Sequence, residues 1–427
     1  MGWDVGMSKG RLMMRAFRLQ MRGSQRFVFF CLGITAIFGL VMVLTPKSDE
    51  QVEMLTKYLE KLTKTNGLEL DEDHHVHDDI HIQQIDLSGR IKRTPYPKRQ
   101  NFSECPKKFG KVTVMVAYVK SSMMTHYHVA QRSLECYLKG TNYELVMVDL
   151  DNDNLTQTHC KHHKQLFFKK HCAVSVYLKQ TDWMLILDAD TGIVNPNHCI
   201  EEWIDDRVDL LFYERFFNWE IASGNYLARN TDFAYKFIKK WADWEFVQPQ
   251  NWNGADNGVL QIHILQTVIP DAMQDIKNCD TIWHQGKGYE TYMAYVTCCK
   301  VALGATRLWP GKIRLYRRAH GWVRDGYITS DRWCENDFMI HGWKATQVDQ
   351  GGWESPFEHI QDPSICDASP KGWPWREKKK ATVEQIRQEL SRFENRTGKS
   401  YPKVARVHAW LELPDVGECY PDCDLST

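Results

Sequence analysis

Two carboxylates one residue apart, Asp188 and Asp190, stand directly after the apolar run Trp183-Met-Leu-Ile-Leu187. A buried strand of this kind delivers its last side chains to the carboxyl edge of an α/β sheet, where ligands bind. Two anions there repel each other unless a positive charge shares the site. A divalent cation carrying a diphosphate is the natural candidate. Spacing alone selects nothing, because Asp71/Asp73, Asp149/Asp151, Asp151/Asp153 and Asp422/Asp424 repeat it. Only the pair at 188 and 190 follows a buried apolar strand.

A second chemistry-bearing group lies late in the chain. The short apolar run Phe338-Met-Ile340 ends in His341-Gly-Trp-Lys344, which mimics the context of Asp188. Two carboxylate oxygens and one imidazole nitrogen suit Mn²⁺, with Mg²⁺ as a substitute. Lys344 would then reach a phosphate oxygen as a point charge. His320-Gly-Trp322 copies the same tripeptide, so the ligand is either His341 or His320. Asp256 lies in the turn-rich segment Asn253-Gly-Ala-Asp-Asn-Gly258 and is the candidate for the reacting centre, with Glu220 as the other acid.

The elements that must position these residues alternate along the chain. Val112 to Val119 reads as a first buried strand, His126 to Leu138 as a helix and Tyr143 to Asp149 as a second strand. Lys161 to Leu178 reads as a helix, Met184 to Leu187 as the strand before the carboxylates and Val208 to Tyr213 as another strand. Thr231 to Glu245 is an aromatic-rich helix whose Phe233, Phe237, Trp241 and Trp244 form a core stripe rather than a sugar platform. Asp337 to Ile340 is a late strand, and Lys378 to Phe393 a last helix. The fold class is α/β, a three-layer domain with a mainly parallel sheet. Tyr118, Lys120 and Ser121 close the first strand and Asp149 the second at the same sheet edge, so these four are candidate ligand-binding residues. Trp203, Trp219, Trp252 and Trp322 could stack on sugars, although most of the sixteen tryptophans must fill core.

The rest of the chain bounds its setting. Formal net charge is zero, which gives no argument for nucleic acid as a partner. Phe27 to Leu44 is an uncharged run of 18 residues, preceded by six basic residues and one acid. That is long enough to span a bilayer, and the charge asymmetry keeps the N-terminus cytosolic. A cleaved signal peptide is the competing reading, but no small-x-small site follows Leu44. Twelve of thirteen cysteines lie beyond this run with no C-x-x-C pair, and three N-x-S/T sequons, at Asn101, Asn154 and Asn395, accompany them. Disulfides in an oxidising lumen fit this better than zinc or redox chemistry. Between the span and the domain, Val52, Leu55, Leu59 and Leu62 form a short seam that leaves homodimerisation through the stem open. The His/Asp tract at 71–81 reads as polar linker.

These residues resemble a glycosyltransferase of the GT-A fold. The likeness is to the galactosyl- and xylosyltransferases of the galactomannan/mannan-type family. It is closer still to a group of nematode membrane proteins related to nucleotide-diphospho-sugar transferases. It covers about 111–345 and rests on Leu187-Asp-Ala-Asp190, Ala222-Ser-Gly-Asn-Tyr-Leu-Ala-Arg-Asn230, Gly254-Ala-Asp-Asn257 and His341-Gly-Trp-Lys344. Ala222 stands where that family has Asn, Asn257 where it has Gln, and the interval from His341 to Lys344 is shorter. These departures bear on which sugar is handled.

The sequence is thus expected to divide into a tail at 1–26, a transmembrane signal anchor at 27–45, a lumenal stem at 46–106, a domain at 107–370 that the resemblance makes GT-A, and an extension at 371–427. The resemblance implies a type II protein of the Golgi or endoplasmic reticulum membrane. The implied reaction moves a hexose or pentose from a nucleotide sugar, UDP-linked, to a glycan on protein or lipid, with Mn²⁺ and with retention. Asp256 would act at the sugar, and an inverting enzyme would instead use Asp256 or Glu220 as base. A catalytically inactive relative, serving as a lumenal glycan-binding or scaffold protein, is the alternative.

Overall fold

Strand formation follows the burial pattern of the sequence. In a computed structural model, which describes Tyr96 and residues 99–345, 354–400 and 414–424, the apolar runs become the middle of a seven-stranded sheet. Strands β1 (Val112–Tyr118), β2 (Glu144–Asp149) and β3 (Trp183–Leu187) are parallel neighbours with β1 central. After β4 (Thr191–Ile193) the chain returns to this sheet as β5 (Leu210–Tyr213) and β6 (Tyr226–Arg229). Strand β6 runs antiparallel between β3 and β5. The sheet closes with β7 (Leu308–Trp309) and β8 (Ile313–Tyr316), giving the order β2-β1-β3-β6-β5-β8-β7. Only β6 and β7 oppose the common direction, so the fold is mixed α/β with a mainly parallel sheet.

Side-chain alternation divides the core. Met115, Ala117, Met184 and Ile186 face one cluster, built with helices α3 (Leu166–Tyr177), α4 (Asp232–Asp243), α5 (Ala255–Val268) and α7 (Tyr289–Leu303). Val114, Val116, Leu185 and Leu187 face the other, built with helix α1 (His128–Lys139) and a second sheet. This smaller sheet has the order β4-β10-β9, with β9 at Val323–Asp325 and β10 at Met339–His341. Helix α2 (Asn154–Cys160) packs on α3, helix α6 (Met273–His284) packs on α7, and helix α8 (Val383–Ser400) follows late in the chain.

The stripe of aromatics expected in the core of α4 is there: Phe237 and Trp241 are buried, and Phe233 and Trp244 pack against the same cluster. One expectation changes. The segment 161–178 is not one helix; α3 begins at Leu166 after a turn, because the Glu245 carboxylate accepts the backbone N–H groups of Lys164 and Gln165. Local polar capping from a distant residue is invisible to periodicity.

Five disulfides, 105–199, 136–366, 160–172, 279–298 and 419–423, join ten cysteines, and Cys299 and Cys334 are buried thiols. The segment after 371 packs through Ile386, Leu390, Val416 and Tyr420 against Phe216 and Cys334. The tail, the anchor and nearly all of the stem lie outside the described residues. Among the described residues no helix is long and apolar enough to cross a membrane.

Candidate functional site

Two strand ends from two different sheets meet at the candidate site. Strand β3 ends at Leu187, so Asp188 and Asp190 emerge at its carboxyl end. The chain then forms β4, which pairs antiparallel with β10 so that Thr191 lies opposite His341. The carbonyl of Asp190 accepts the N–H groups of Gly342 and Trp343 at 3.1 and 2.9 Å. Backbone hydrogen bonds therefore fix the histidine against the carboxylates.

His341 Nε2 lies 3.4 Å from Asp190 Oδ1 and 3.7 Å from Asp188 Oδ2. One ligand atom from each of the three residues falls within 4.8 Å of the others, the separation expected of a set able to close on one cation. The imidazole is oriented from behind: Nδ1 lies 2.8 Å from Asp325 Oδ1 at the end of β9. Asp325 also receives Arg215 at 3.2 Å. A carboxylate holding the far nitrogen is the arrangement that orients histidine ligands in metal sites. Burial alone would lower the basicity of His341, but Asp190 and Asp325 outweigh it and hold its pKa up to about 10. Burial would raise the pKa of Asp325, but Arg215 and His341 hold it down to about 2. The same opposition, with His341 and Lys344 as the lowering partners, keeps Asp190 well below the usual carboxylate range. A cation bound at Nε2 would take the place of the imidazolium proton.

Lys344 Nζ reaches Asp190 Oδ2 at 3.3 Å, on the solvent side of the cluster. His320, the other histidine weighed from sequence, is elsewhere: its Nδ1 contacts the Arg318 carbonyl at 2.9 Å and its ring packs edge-on to Tyr420. The structure brings His341 to the carboxylates, and not His320.

Asp256 stands behind the cluster rather than in it. It is 2 % exposed, in the first turn of α5, and its Oδ2 lies 2.9 Å from His171 Nε2. Burial would raise its pKa, but the hydrogen bond from His171 and the charge of Lys170 hold it down. Lys170, buried on α3, links the two layers: its Nζ donates to Asp188 Oδ1 at 2.9 Å and feels the charge of Asp256. Burial alone would lower the pKa of Lys170; these two carboxylates raise it instead. His171 stacks on Trp241 with ring centroids 3.6 Å apart, and its burial lowers its pKa to about 4. Glu220 is likewise buried, against Arg215 and the Tyr292 hydroxyl.

The segment 222–230 supports Asp188 directly. Asn225 Oδ1 accepts from the Asp188 N–H at 3.0 Å and from the Thr191 hydroxyl at 2.9 Å. A Cβ on Gly224 would sit 1.9 Å from Asp188 Oδ2, so only glycine lets that carboxylate lie where it does. Asn257 accepts from the Ser223 N–H at 3.1 Å and so braces the same turn.

Tyr118 and Asp149 are cross-strand neighbours at the ends of β1 and β2. Asp149 caps its own turn, accepting from the Asp151 N–H and the Asn152 amide. Lys120 and Ser121 are exposed in a short helical segment directly after β1. Among the sugar-stacking candidates, Trp322 is buried and Trp203 stacks on Phe338, while Trp252 is 47 % exposed beside Tyr292.

Sequence reasoning missed Lys170, His171, Arg215, Asp325 and Tyr127. The ring of Tyr127 feels the charges of Asp190 and Lys344, and burial is the larger cause of its raised pKa. For Lys170, the pairing of a basic residue with the inward face of an otherwise apolar helix was the available signal.

The fold and the site thus define a mixed α/β protein with an Asp-Asp-His cluster where two sheets meet. The chain belongs to the family described as "Protein of unknown function, DUF273", which it matches over residues 134–354. No curated protein matches it.

Solved structures similar to this chain at low identity include the following three. One is a glycosyltransferase involved in the glycosylation of the major capsid of PBCV-1, at 14 % identity and a TM-score of 0.33, covering 56 % of this chain and 98 % of the other. The glycosyltransferase GlyE of Streptococcus pneumoniae TIGR4, in its apo form, is 12 % identical with a TM-score of 0.25, covering 47 % and 65 %. A second GlyE structure gives 12 % and 0.24, covering 44 % and 60 %. At these TM-scores neither protein bears on how the site is read.

Proposed function

We propose that this chain is a metal-dependent glycosyltransferase of the GT-A type. In this reading it moves a hexose or pentose from a UDP-linked sugar to a glycan on protein or lipid. The observation that carries the proposal is the convergence of Asp188, Asp190 and His341 at the carboxyl edge of the sheet, with Lys344 beside them. Two hard oxygen donors and one oriented nitrogen fit Mn²⁺ or Mg²⁺. A divalent cation there would neutralise the diphosphate as it leaves, which is the largest charge change in such a transfer.

The chain's own groups have separate tasks in this scheme. Lys344 holds a phosphate oxygen as a fixed positive charge. Lys170, hydrogen-bonded to Asp188 and under the charge of Asp256, is buried and fixes the Asp188 carboxylate for the cation. Asp256 is a positioning residue that acts through Lys170 and His171, since burial keeps its oxygens from the reacting carbon. Retention would then proceed by collapse of an ion pair rather than through an Asp256 adduct. Tyr118, Lys120, Ser121 and Asp149 would meet the base and ribose, and Trp252 the acceptor. The apolar run 27–44 and the five disulfides support a type II protein of the Golgi or endoplasmic reticulum.

The test is a thermal-shift and slow-hydrolysis screen of the full chain against nucleotide sugars with and without Mn²⁺. One donor that stabilises only with Mn²⁺, and loses its effect in Asp190→Ala, is the expected result. A folded chain that responds to no donor would overturn the enzyme reading in favour of a glycan-binding or scaffold protein.

A further inference from the structure

A second group of metal-ligating side chains lies at the far end of α3 and α4, independent of the proposed transfer reaction. His162 and His163 sit in the turn before α3, and Asp243 is the last residue of α4. One ligand atom from each lies within 4.8 Å of the others. His163 is 1 % exposed, and its Nδ1 lies 2.9 Å from Glu245 Oε2. That carboxylate is itself pinned, since Glu245 Oε1 accepts the N–H groups of Lys164 and Gln165 at 2.8 and 2.9 Å.

With Nδ1–H donating to Glu245, His163 Nε2 carries a lone pair. This buried atom has no hydrogen-bond partner, yet it points at Asp243 Oδ1 only 3.5 Å away. A lone pair facing a carboxylate is repulsive unless a cation stands between them. Tetrahedral zinc with bonds of about 2.0–2.1 Å separates neighbouring ligand atoms by roughly 3.3 Å. The observed spacing is close to that. The carboxyl end of α4 adds the negative end of its dipole to the two carboxylates. His162 is exposed, and its ring lies 4.2 Å from that of His163, within a rotation of joining the set.

We infer that His162, His163 and Asp243 form a zinc site, with Glu245 orienting His163 from behind and a fourth position open to solvent. The ion would clamp the turn at 161–165 to the end of α4. These are the ends of the two helices that carry Lys170 and His171 on one side and Trp241 on the other. The rival arrangement is an imidazolium shared between Asp243 and Glu245, which needs no metal and no His162.

The full chain, untagged and stripped with chelator, distinguishes them when titrated with Zn²⁺ in the Asp190→Ala background, where the first cluster is dismantled. One equivalent bound, with at least a tenfold loss of affinity on adding His162→Ala, is expected. No zinc bound by a chain folded by circular dichroism, or equal affinity with and without His162→Ala, would overturn the assignment. His162 is exposed, so its loss does not endanger the fold, and a rise in unfolding temperature with Zn²⁺ that His162→Ala removes is the second readout.

Discussion

Gly224→Ala should disable the Asp188 side of the cluster while leaving the fold in place. A Cβ at this position would meet Asp188 Oδ2 at 1.9 Å and Cγ at 2.6 Å, whereas real contacts of this type essentially never fall below 3.0 Å. The carboxylate must therefore retreat by about 1.1 Å. Sites that hold ions or substrates tolerate displacements of roughly 0.5 Å, so this shift is about twice what coordination can absorb. Loss of an orienting partner already costs 10–100-fold in metal affinity, so moving the ligand itself should cost on the order of 100-fold, or about 2.7 kcal/mol. Backbone strain adds nothing, because Gly224 is not among the glycines with positive φ. Calorimetric titration of the full chain with Mn²⁺ measures the loss. A double-mutant cycle isolates its cause: in an Asp188→Ala background, Gly224→Ala should cost nothing further, since the atoms it strikes are gone. Wild-type Mn²⁺ affinity in a folded Gly224→Ala chain, or additive losses in the cycle, would refute the reasoning.

Two more outcomes can be stated. His341→Ala should lower Mn²⁺ affinity by at least tenfold while His320→Ala leaves it unchanged, and calorimetry that ranks the two the other way would reassign the ligand. Burial depresses the pKa of His263 to about 3, from an ordinary value near 6.5. The unfolded chain therefore gains a proton that the folded chain refuses, so stability falls as pH drops from about 6.5 towards 3, by roughly 1.4 kcal/mol per unit. Urea titrations at pH 6.5, 5.5 and 4.5 should show that slope shrink by about this amount in His263→Gln, which keeps a donor for the Phe237 carbonyl.

Much of the architecture could be read from periodicity, and the reasons it fails elsewhere are specific. Strands β1 and β3 are buried on both faces and read as nearly continuous apolar runs, interrupted only by Thr113. Strands β4, β9 and β10 have three residues each, too few for any alternation to register. Strand β6 hides inside a Gly/Asn-flanked turn sequence, and α5 is buried on nearly all sides, which erases its amphipathic stripe. At the site, Asp188 and Asp190 were legible because an apolar strand ends there. His341 was separable from its copy His320 only by the apolar residues before it. Lys170, Arg215 and Asp325 were not legible, because their importance arises from what tertiary packing sets opposite them.

The ladder between β4 and β10 has a consequence for kinship. Asp190 and His341 are set against each other by the strand pairing beside them and not by the long chain that joins them. The loops between Val194 and Phe338 that lie outside β5, β6, β8, β9 and the turn at 222–225 can lengthen, shorten or take insertions while the two arms keep their grip, provided the ladder survives. Relatives with the same centre can therefore carry its two halves at quite different intervals. Searches keyed to a fixed gap would pass over them, whereas a search for two short pairing segments, one led by Asp-x-Asp and one closed by His-Gly-x-Lys, would not.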